Sequence, residues 1–67
     1  MSKEMEFYIY LMEKYSEYKN ISTTDIANKL EKLELTDYIC SMYEMYHIEA
    51  IENAFNDIDK LISEKEK

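Results

Sequence analysis

The two residues best suited to covalent chemistry are Cys40 and His47, the only cysteine and the only histidine in the 67-residue sequence. Nucleophilic catalysis would require a base within hydrogen-bonding reach of the thiol. On a helix, residues seven positions apart lie about 10 Å apart along the axis, which is too far to share a proton directly. We therefore predict no catalytic residue and no enzymatic activity. We expect His47 to lie at a helix end or bend, where its ring bonds a backbone carbonyl.

A metal or cofactor site is not predicted either. One histidine and one cysteine fall short of a zinc tetrad, and the acids Glu44, Asp57 and Asp59 lack recognisable ligand spacing. On a helix, Asp57 and Asp59 would point to opposite flanks and could not form a carboxylate pair for acid–base catalysis. We interpret them as a solvated rim around an apolar stripe, and the lone Cys40 as a small buried hydrophobic residue.

Tyrosine is unusually frequent, with seven in 67 residues. A core this small can bury few rings while giving each hydroxyl a partner. Tyr10 is the informative position, because a helical frame places it opposite the apolar arc, among Glu6, Glu13, Lys14 and Glu17. An exposed tyrosine ringed by charges is typical of a binding hot spot, whereas tyrosine and methionine at helical spacing are ordinarily core residues. The candidate partner-binding residues are Tyr10, Tyr18, Tyr38, Met42, Tyr43, Met45 and Tyr46.

The charge balance restricts the class of partner. Fifteen acids stand against eight lysines, there is no arginine, and the net charge is −7. Because phosphate backbones are anionic and base recognition relies heavily on arginine, this composition disfavours nucleic-acid binding. It fits a basic protein, a basic groove or simple solubility. Residues 1–6 are polar and charged, without the apolar run of a signal peptide or membrane span, so we expect a cytoplasmic protein that does not enter membranes.

The elements that must position these side chains are all predicted to be helices. Glycine and proline are absent, so the helix limits follow from caps and from the phase of the apolar positions. The pattern predicts an all-α fold, a small single-domain bundle of three or four helices at residues 3–19, 23–33, 37–47 and 49–63. The first helix has an apolar arc of roughly 200°, so it should be covered on more than one side. The charged tail, residues 63–67, should fray.

Two helix starts can be predicted from capping residues. Ser22 fits an N-cap, with Ile21 and Ile26 at the positions of a hydrophobic staple. Thr36 can cap the next helix, with Asp37 in its first turn. A single helical frame through residues 37–63 leaves two apolar stripes with centres about 140° apart. A break at residues 47–50 resolves this mismatch, and a continuous helix with two apolar faces is the alternative.

Three functions remain open at this point. The leading one is a small acidic module that binds a protein partner or a second copy of itself. The first alternative is a helix-turn-helix DNA-binding regulator over residues 21–47, but its recognition helix would have neither arginine nor lysine to contact phosphates and bases. The second alternative is an acidic inhibitor that mimics nucleic acid, which fits the charge but no particular residue pattern.

A set of residues spread through all four predicted helices also matches a known pattern. They are Glu6, Phe7, Tyr15, Ile21, Ser22, Leu30, Glu31, Lys32, Asp37, Tyr38, Ile39, Tyr43, His47, Asp57, Ile58, Asp59 and Ile62. In this order and spacing they resemble a family of short bacterial proteins, domain of unknown function 3791.

The family resemblance carries two implications. The family pattern has a threonine and a glycine where this chain has Ile48 and Ala50, which implies a more helical connection here than a glycine turn. Family members are similar to small partner proteins encoded beside a larger ADP-ribosyltransferase-like protein. The resemblance therefore implies an antitoxin-like or regulatory role, and it identifies no catalytic residue.

Overall fold

The computed structural model describes residues 2–66, and within that range it contains five helices and no strand. The helices are α1 (Lys3–Lys19), α2 (Thr23–Lys32), α3 (Thr36–Ser41), α4 (Tyr43–Tyr46) and α5 (Ile51–Lys65). The predicted all-α bundle is confirmed. The helix α1 occupies the predicted range, α2 ends one residue early, the predicted third helix is divided into α3 and α4, and α5 lies two residues further along the chain than predicted.

Serine residues cap the N-termini of α1 and α2. Ser2 accepts a hydrogen bond from the backbone N–H of Met5 at 3.1 Å, and Ser22 accepts one from the N–H of Asp25 at 3.1 Å. Each serine thereby satisfies a backbone donor that has no partner within the first turn of its helix. The predicted cap at Ser22 is confirmed.

Two residues in the left-handed region allow tight reversals without glycine. Asn20 has φ 57° and Glu34 has φ 60°. The N–H of Ile21 bonds the Ser16 carbonyl, and the N–H of Leu35 bonds the Leu30 carbonyl. These bonds, with those from the Asn20 and Glu34 N–H groups, form a Schellman motif at the end of α1 and another at the end of α2. The chain thus turns sharply at both points although it has no glycine, the residue that usually occupies this position.

The start of α3 differs from the prediction. Thr36 is the first helical residue, and Leu35 occupies the N-cap without a side-chain hydrogen bond. The hydroxyl oxygen of Thr36 is buried and has no hydrogen-bond partner in the described chain. The Thr36 side chain is turned inward next to Tyr8. Thr36 therefore does not cap the helix.

One residue, Met42, separates α3 from α4. The Ser41 hydroxyl donates to the Tyr38 carbonyl at 2.6 Å. In an uninterrupted α-helix this carbonyl would accept a hydrogen bond from the Met42 N–H. The Met42 N–H bonds the Ile39 carbonyl at 3.1 Å instead, which tightens the turn. Such competition from serine is a known cause of bends in helices.

The predicted break at residues 47–50 is confirmed, since none of these four residues is helical and α5 begins at Ile51. The alternative of one continuous helix was wrong, and so was the more helical connection implied by the family resemblance.

The tail also differs from the prediction of fraying. The helix α5 continues to Lys65, and the Glu66 carboxylate pairs with Lys29 at 2.9 Å. Lys67 lies outside the described residues.

The core forms where α1 packs against α2, α3 and α4, with α5 joined to α1 through ring contacts between Phe55 and the tyrosines Tyr15 and Tyr18. The radius of gyration, 11.0 Å, equals the value of about 11 Å expected for a folded chain of this length. The buried residues are Tyr8, Leu11, Met12, Tyr15, Ile26, Leu30, Leu35, Ile39, Tyr46, Ala54, Phe55 and Ile58. The centre of the α1 arc is therefore covered, while its flanks Met5 and Ile9 remain 41% exposed.

Candidate functional site

The tyrosines divide into an interior group and a surface group. Tyr8, Tyr15 and Tyr46 are buried, Tyr43 is half-buried, and Tyr10, Tyr18 and Tyr38 are between 48% and 55% exposed. The predicted exposure of Tyr10 is confirmed. Tyr46 was a candidate binding residue, but it is only 2% exposed and belongs to the core.

The aspartates of α5 give the buried tyrosines their hydrogen-bond acceptors. The Tyr15 hydroxyl donates to Asp59, and the Tyr46 hydroxyl donates to Asp57 at 3.1 Å. Asp59 also pairs with Lys19 at 3.2 Å. Asp57 is exposed and Asp59 is partly exposed beside the buried Ile58, as expected for a solvated rim. Each aspartate also accepts a hydrogen bond from a buried tyrosine of another helix, which was not predicted.

Burial and the neighbouring carboxylates change the acidity of these hydroxyls. Desolvation raises the pKa of Tyr15 well above its ordinary value, and the hydrogen bond to Asp59 raises it further. Desolvation, followed by the charge of Asp57, does the same to the pKa of Tyr46. Burial also raises the pKa of Tyr8. These three rings are therefore held protonated as structural elements of the core.

Tyr10 is part of a continuous line of ring contacts, which we call the aromatic strip and define as Tyr10, Phe7, Tyr43 and His47. Tyr10 and His47 are exposed, whereas Phe7 and Tyr43 are half-buried. Phe7 lies 6.3 Å from Tyr10 and 5.6 Å from Tyr43 between ring centroids, the second contact being edge-to-face. Tyr43 and His47 stack with centroids 4.3 Å apart and planes 5° from parallel. The strip thus crosses from α1 to the end of α4.

Local geometry fixes the last ring of the aromatic strip. The His47 ring Nδ1 lies 2.7 Å from the Tyr43 carbonyl oxygen, and the His47 backbone N–H donates to the same oxygen at 3.0 Å. Because a carbonyl only accepts hydrogen bonds, Nδ1 carries the proton in this contact. The prediction that His47 bonds a backbone carbonyl at a helix end is confirmed.

Charged side chains border the aromatic strip on α1. The Lys14 ammonium lies 5.8 Å from the centroid of the Tyr10 ring and 3.9 Å from Glu17. Glu6, Glu13 and Glu17 are exposed. Helical geometry places all three acids within about 60° of Tyr10, on the side away from Phe7. One edge of the strip is therefore acidic.

The remaining candidate residues lie outside the aromatic strip. Tyr18 stacks on Phe55 with centroids 4.8 Å apart, and the Lys19 ammonium lies 5.8 Å from its ring centroid. Tyr38 and Met45 are 48% and 53% exposed, whereas Met42 packs partly buried against the core. The structure thus brings only Tyr10 and Tyr43 of the predicted residues into one ring-to-ring arrangement.

Sequence reasoning missed Phe7 and His47 as members of the aromatic strip. Phe7 is three residues before Tyr10, and His47 is four residues after Tyr43. Side chains three or four apart on a helix are neighbours on its surface, so these spacings could have indicated both pairs. The contact between Phe7 and Tyr43 joins two helices and had no local signal.

The thiol of Cys40, first considered for catalysis, lies in surroundings that disfavour its ionised form. Cys40 is half-buried, and desolvation raises the pKa of its thiol, with a further rise from Asp37. A raised pKa lowers the thiolate fraction on which nucleophilic attack depends. The described residues also contain no group of three or more His, Cys, Asp or Glu side chains that could hold a metal ion. Between residues 2 and 66, no helix is long and apolar enough to cross a membrane.

Comparison with known proteins identifies the family but no activity. The profile of the family described as Protein of unknown function (DUF3791) matches residues 6–65, so the chain belongs to this family. The comparison with curated proteins and the comparison with solved structures each gave no match.

Proposed function

We propose that this member of the DUF3791 family is a non-catalytic module that binds a basic protein partner through its aromatic strip. The observation that carries the proposal is the unbroken ring contact from Tyr10 through Phe7 and Tyr43 to His47. Tyrosine is enriched among the residues that contribute most to protein interfaces. Packed neighbours hold these rings in place, so binding would lose little side-chain entropy.

The charge around the aromatic strip supports a basic partner. The strip is bordered by Glu6, Glu13 and Glu17 within a chain of net charge −7. Lysine and arginine side chains from a partner can lie over tyrosine rings while pairing with the adjacent carboxylates. Lys14 already makes such a contact with Tyr10 inside this chain, so this ring accommodates a cation. Electrostatic complementarity of this kind favours a basic protein over nucleic acid.

We further propose that the module acts in the cytoplasm as an antitoxin-like or regulatory partner of a neighbouring ADP-ribosyltransferase-like protein. This step rests on the family resemblance and gives the first partner to test. The raised pKa of the Cys40 thiol supports a binding role over a catalytic one. The helix-turn-helix alternative has less support, because α3 is six residues long and contains no basic residue.

The test compares two charge-reversal variants with equal net charge. Glu13→Lys with Glu17→Lys reverses two of the three acids at the edge of the aromatic strip, and Glu31→Lys with Glu64→Lys makes the same charge change elsewhere. All four residues are exposed, so both variants should fold. Titration calorimetry with the purified ADP-ribosyltransferase-like neighbour should show binding by the wild type. We expect at least tenfold weaker binding for the strip variant and a change within about threefold for the control.

Two results would contradict the proposal. Absence of binding to the neighbouring protein would remove the proposed partner. Equal weakening by the two charge-reversal variants would show that net charge, rather than the edge of the aromatic strip, determines binding. Raising the salt concentration should weaken the wild-type complex, because the contacts at the strip are partly between exposed charges.

A further inference from the structure

A second surface lies on a different part of the molecule, between the end of α1, α2 and α5. It is an open groove of about 540 Å³ and shares no residue with the aromatic strip. Its apolar floor is formed by Ile21, Ile26 and Ile62. Ile26 is buried, whereas Ile21 is 46% exposed and Ile62 is partly buried against the core. The groove is therefore an apolar surface that the chain itself leaves partly open.

The two walls of this groove carry opposite charges. Lys19 from α1 and Lys29 from α2 form one side, and Asp59 from α5 and Glu66, the residue after α5, form the other. Lys19 pairs with Asp59 at 3.2 Å, and Lys29 pairs with Glu66 at 2.9 Å. Each ion pair thus joins the basic wall to the acidic wall across the apolar floor.

The ion pairs can open at little cost in stability. All four side chains are between 33% and 48% exposed, and ion pairs at such positions contribute little because water competes for both partners. If the ion pair between Lys19 and Asp59 opened, Asp59 would stay in place, because its carboxylate also accepts a hydrogen bond from the Tyr15 hydroxyl. The groove is therefore able to exchange its internal ion pairs for pairs with another molecule.

The spacing of the acidic wall indicates the shape of that molecule. Asp59 and Glu66 are seven residues apart, which on a helix is two turns or about 10 Å, and Ile62 lies between them on the same side. In paired helices, charged residues that flank an apolar seam pair with charges on the facing helix. An open trough of this length suits a helix better than a small molecule, which is usually enclosed on most sides.

We infer that this groove binds an amphipathic helix of a protein partner, with an apolar seam, acids along one edge and bases along the other. The apolar seam would contact Ile21, Ile26 and Ile62. The acidic edge would face Lys19 and Lys29, and the basic edge would face Asp59 and Glu66. This inference is independent of the proposed function, because the aromatic strip recognises charge of one sign and lies elsewhere.

Two blocked synthetic peptides of about 15 residues provide the probe. Both have leucine at the seam positions and the same number of glutamates and lysines. In the first, all glutamates lie on one edge and all lysines on the other; in the second, each edge carries both. If a bound helix is turned end for end in the groove, its two edges exchange places. The first peptide can therefore always place its glutamates against the basic wall and its lysines against the acidic wall, whereas the second peptide cannot do so in either direction. Titrations are performed below the concentration at which either peptide self-associates, as established by sedimentation.

Nuclear magnetic resonance titration of the full chain measures affinity and location together. We expect the segregated peptide to bind at least fivefold more tightly than the mixed peptide, with shifts centred on Ile21, Ile26 and Ile62. The double variant Lys29→Glu with Glu66→Lys keeps an internal ion pair but reverses the wall charges at one end. It should reduce the preference for the segregated peptide to less than twofold while leaving the thermal melting temperature nearly unchanged.

Three results would overturn the inference. They are the absence of binding at millimolar peptide, equal affinity for the two peptides, and shifts centred on the aromatic strip. Tyr10→Ala separates this surface from the proposed function, because it should leave peptide affinity in the groove unchanged. If this variant weakened peptide binding, the peptide would be occupying the aromatic strip instead of the groove.

Discussion

Two helices each contain both tyrosines that build the core and tyrosines that lie nearer the surface, and one pair from each helix shows the contrast. On α1, Tyr15 is 2% exposed and Tyr10 is 48% exposed; on α4, Tyr46 is 2% exposed and Tyr43 is half-buried. The buried pair donate their hydroxyls to Asp59 and Asp57 of α5. The surface pair instead contact the rings of Phe7 and His47 in the aromatic strip.

This comparison shows what decides the role of a tyrosine in a small bundle. Burial of a tyrosine ring is more favourable when its hydroxyl finds an acceptor, and Asp59 and Asp57 of α5 accept from Tyr15 and Tyr46. Tyr10 and Tyr38 are instead each 48% exposed. Their rings are then available for a partner, which is the distinction that the following predictions test.

The largest effect is expected from removing a core tyrosine. Tyr15→Ala should lower the free energy of unfolding by about 3–5 kcal/mol, because it leaves a cavity beside Phe55 and an aspartate without its donor. Urea denaturation measures the change. Tyr38→Ala removes an exposed ring and should cost no more than about 0.5 kcal/mol. Similar costs for the two variants would abolish the distinction between core and surface tyrosines.

Alkaline pH should destabilise the fold through the same core tyrosines. Raised pKa values in the folded state mean that Tyr15 and Tyr46 ionise more easily when the chain is unfolded. Their contribution is therefore fully present below the ordinary tyrosine pKa of about 10 and is lost as pH rises above it. Each group should cost about 1.4 kcal/mol per pH unit above that value.

Urea denaturation between pH 8 and pH 11.5 would reveal this loss. The double variant Tyr15→Phe with Tyr46→Phe should flatten the decline relative to the wild type, because it removes two of the three core hydroxyls whose pKa is raised. An equally steep decline in the double variant would assign the alkaline loss to other groups.

Removal of a helix cap should have a smaller effect. Ser22→Ala deletes the acceptor for the Asp25 N–H and should cost about 1 kcal/mol, within a range of about 0.5–2 kcal/mol. Ser63→Ala is the matched control, since Ser63 is exposed near the end of α5 and caps no helix. An unchanged denaturation midpoint for Ser22→Ala would remove the role assigned to this cap.

One substitution should stabilise the protein. Glu34 adopts φ 60°, which is unfavourable for any residue with a side chain, so Glu34→Gly should gain about 0.5–1 kcal/mol. Glu34→Ala removes the same charge without relieving the conformation and should give no such gain. If both variants stabilised the chain equally, the effect would come from charge and not from the backbone.

Local sequence signals were sufficient for several features of the fold. The range of α1, the cap at Ser22 and the break after Tyr46 follow from the phase of apolar residues and from capping chemistry within one or two turns. The exposure of Tyr10 follows from the same helical frame. Each of these depends on contacts between residues that are close in sequence.

Other features depend on interactions that the local sequence does not specify. The left-handed residues Asn20 and Glu34 stand where glycine is usual, so neither turn had its ordinary signal. The bonds from Tyr15 and Tyr46 to α5 join separate helices. The hydroxyl of Thr36 faces the core instead of capping α3, which depends on how α3 docks beside Tyr8.

The most direct test of the central claim is to measure stability and partner affinity for Tyr10→Ala. The account predicts a free energy of unfolding within about 0.5 kcal/mol of the wild type, because the exposed ring leaves no core cavity. It also predicts at least tenfold weaker binding to the partner, equivalent to about 1.4 kcal/mol. Unfolding of the variant, or affinity within about twofold of the wild type, would contradict the claim that the aromatic strip is a binding surface.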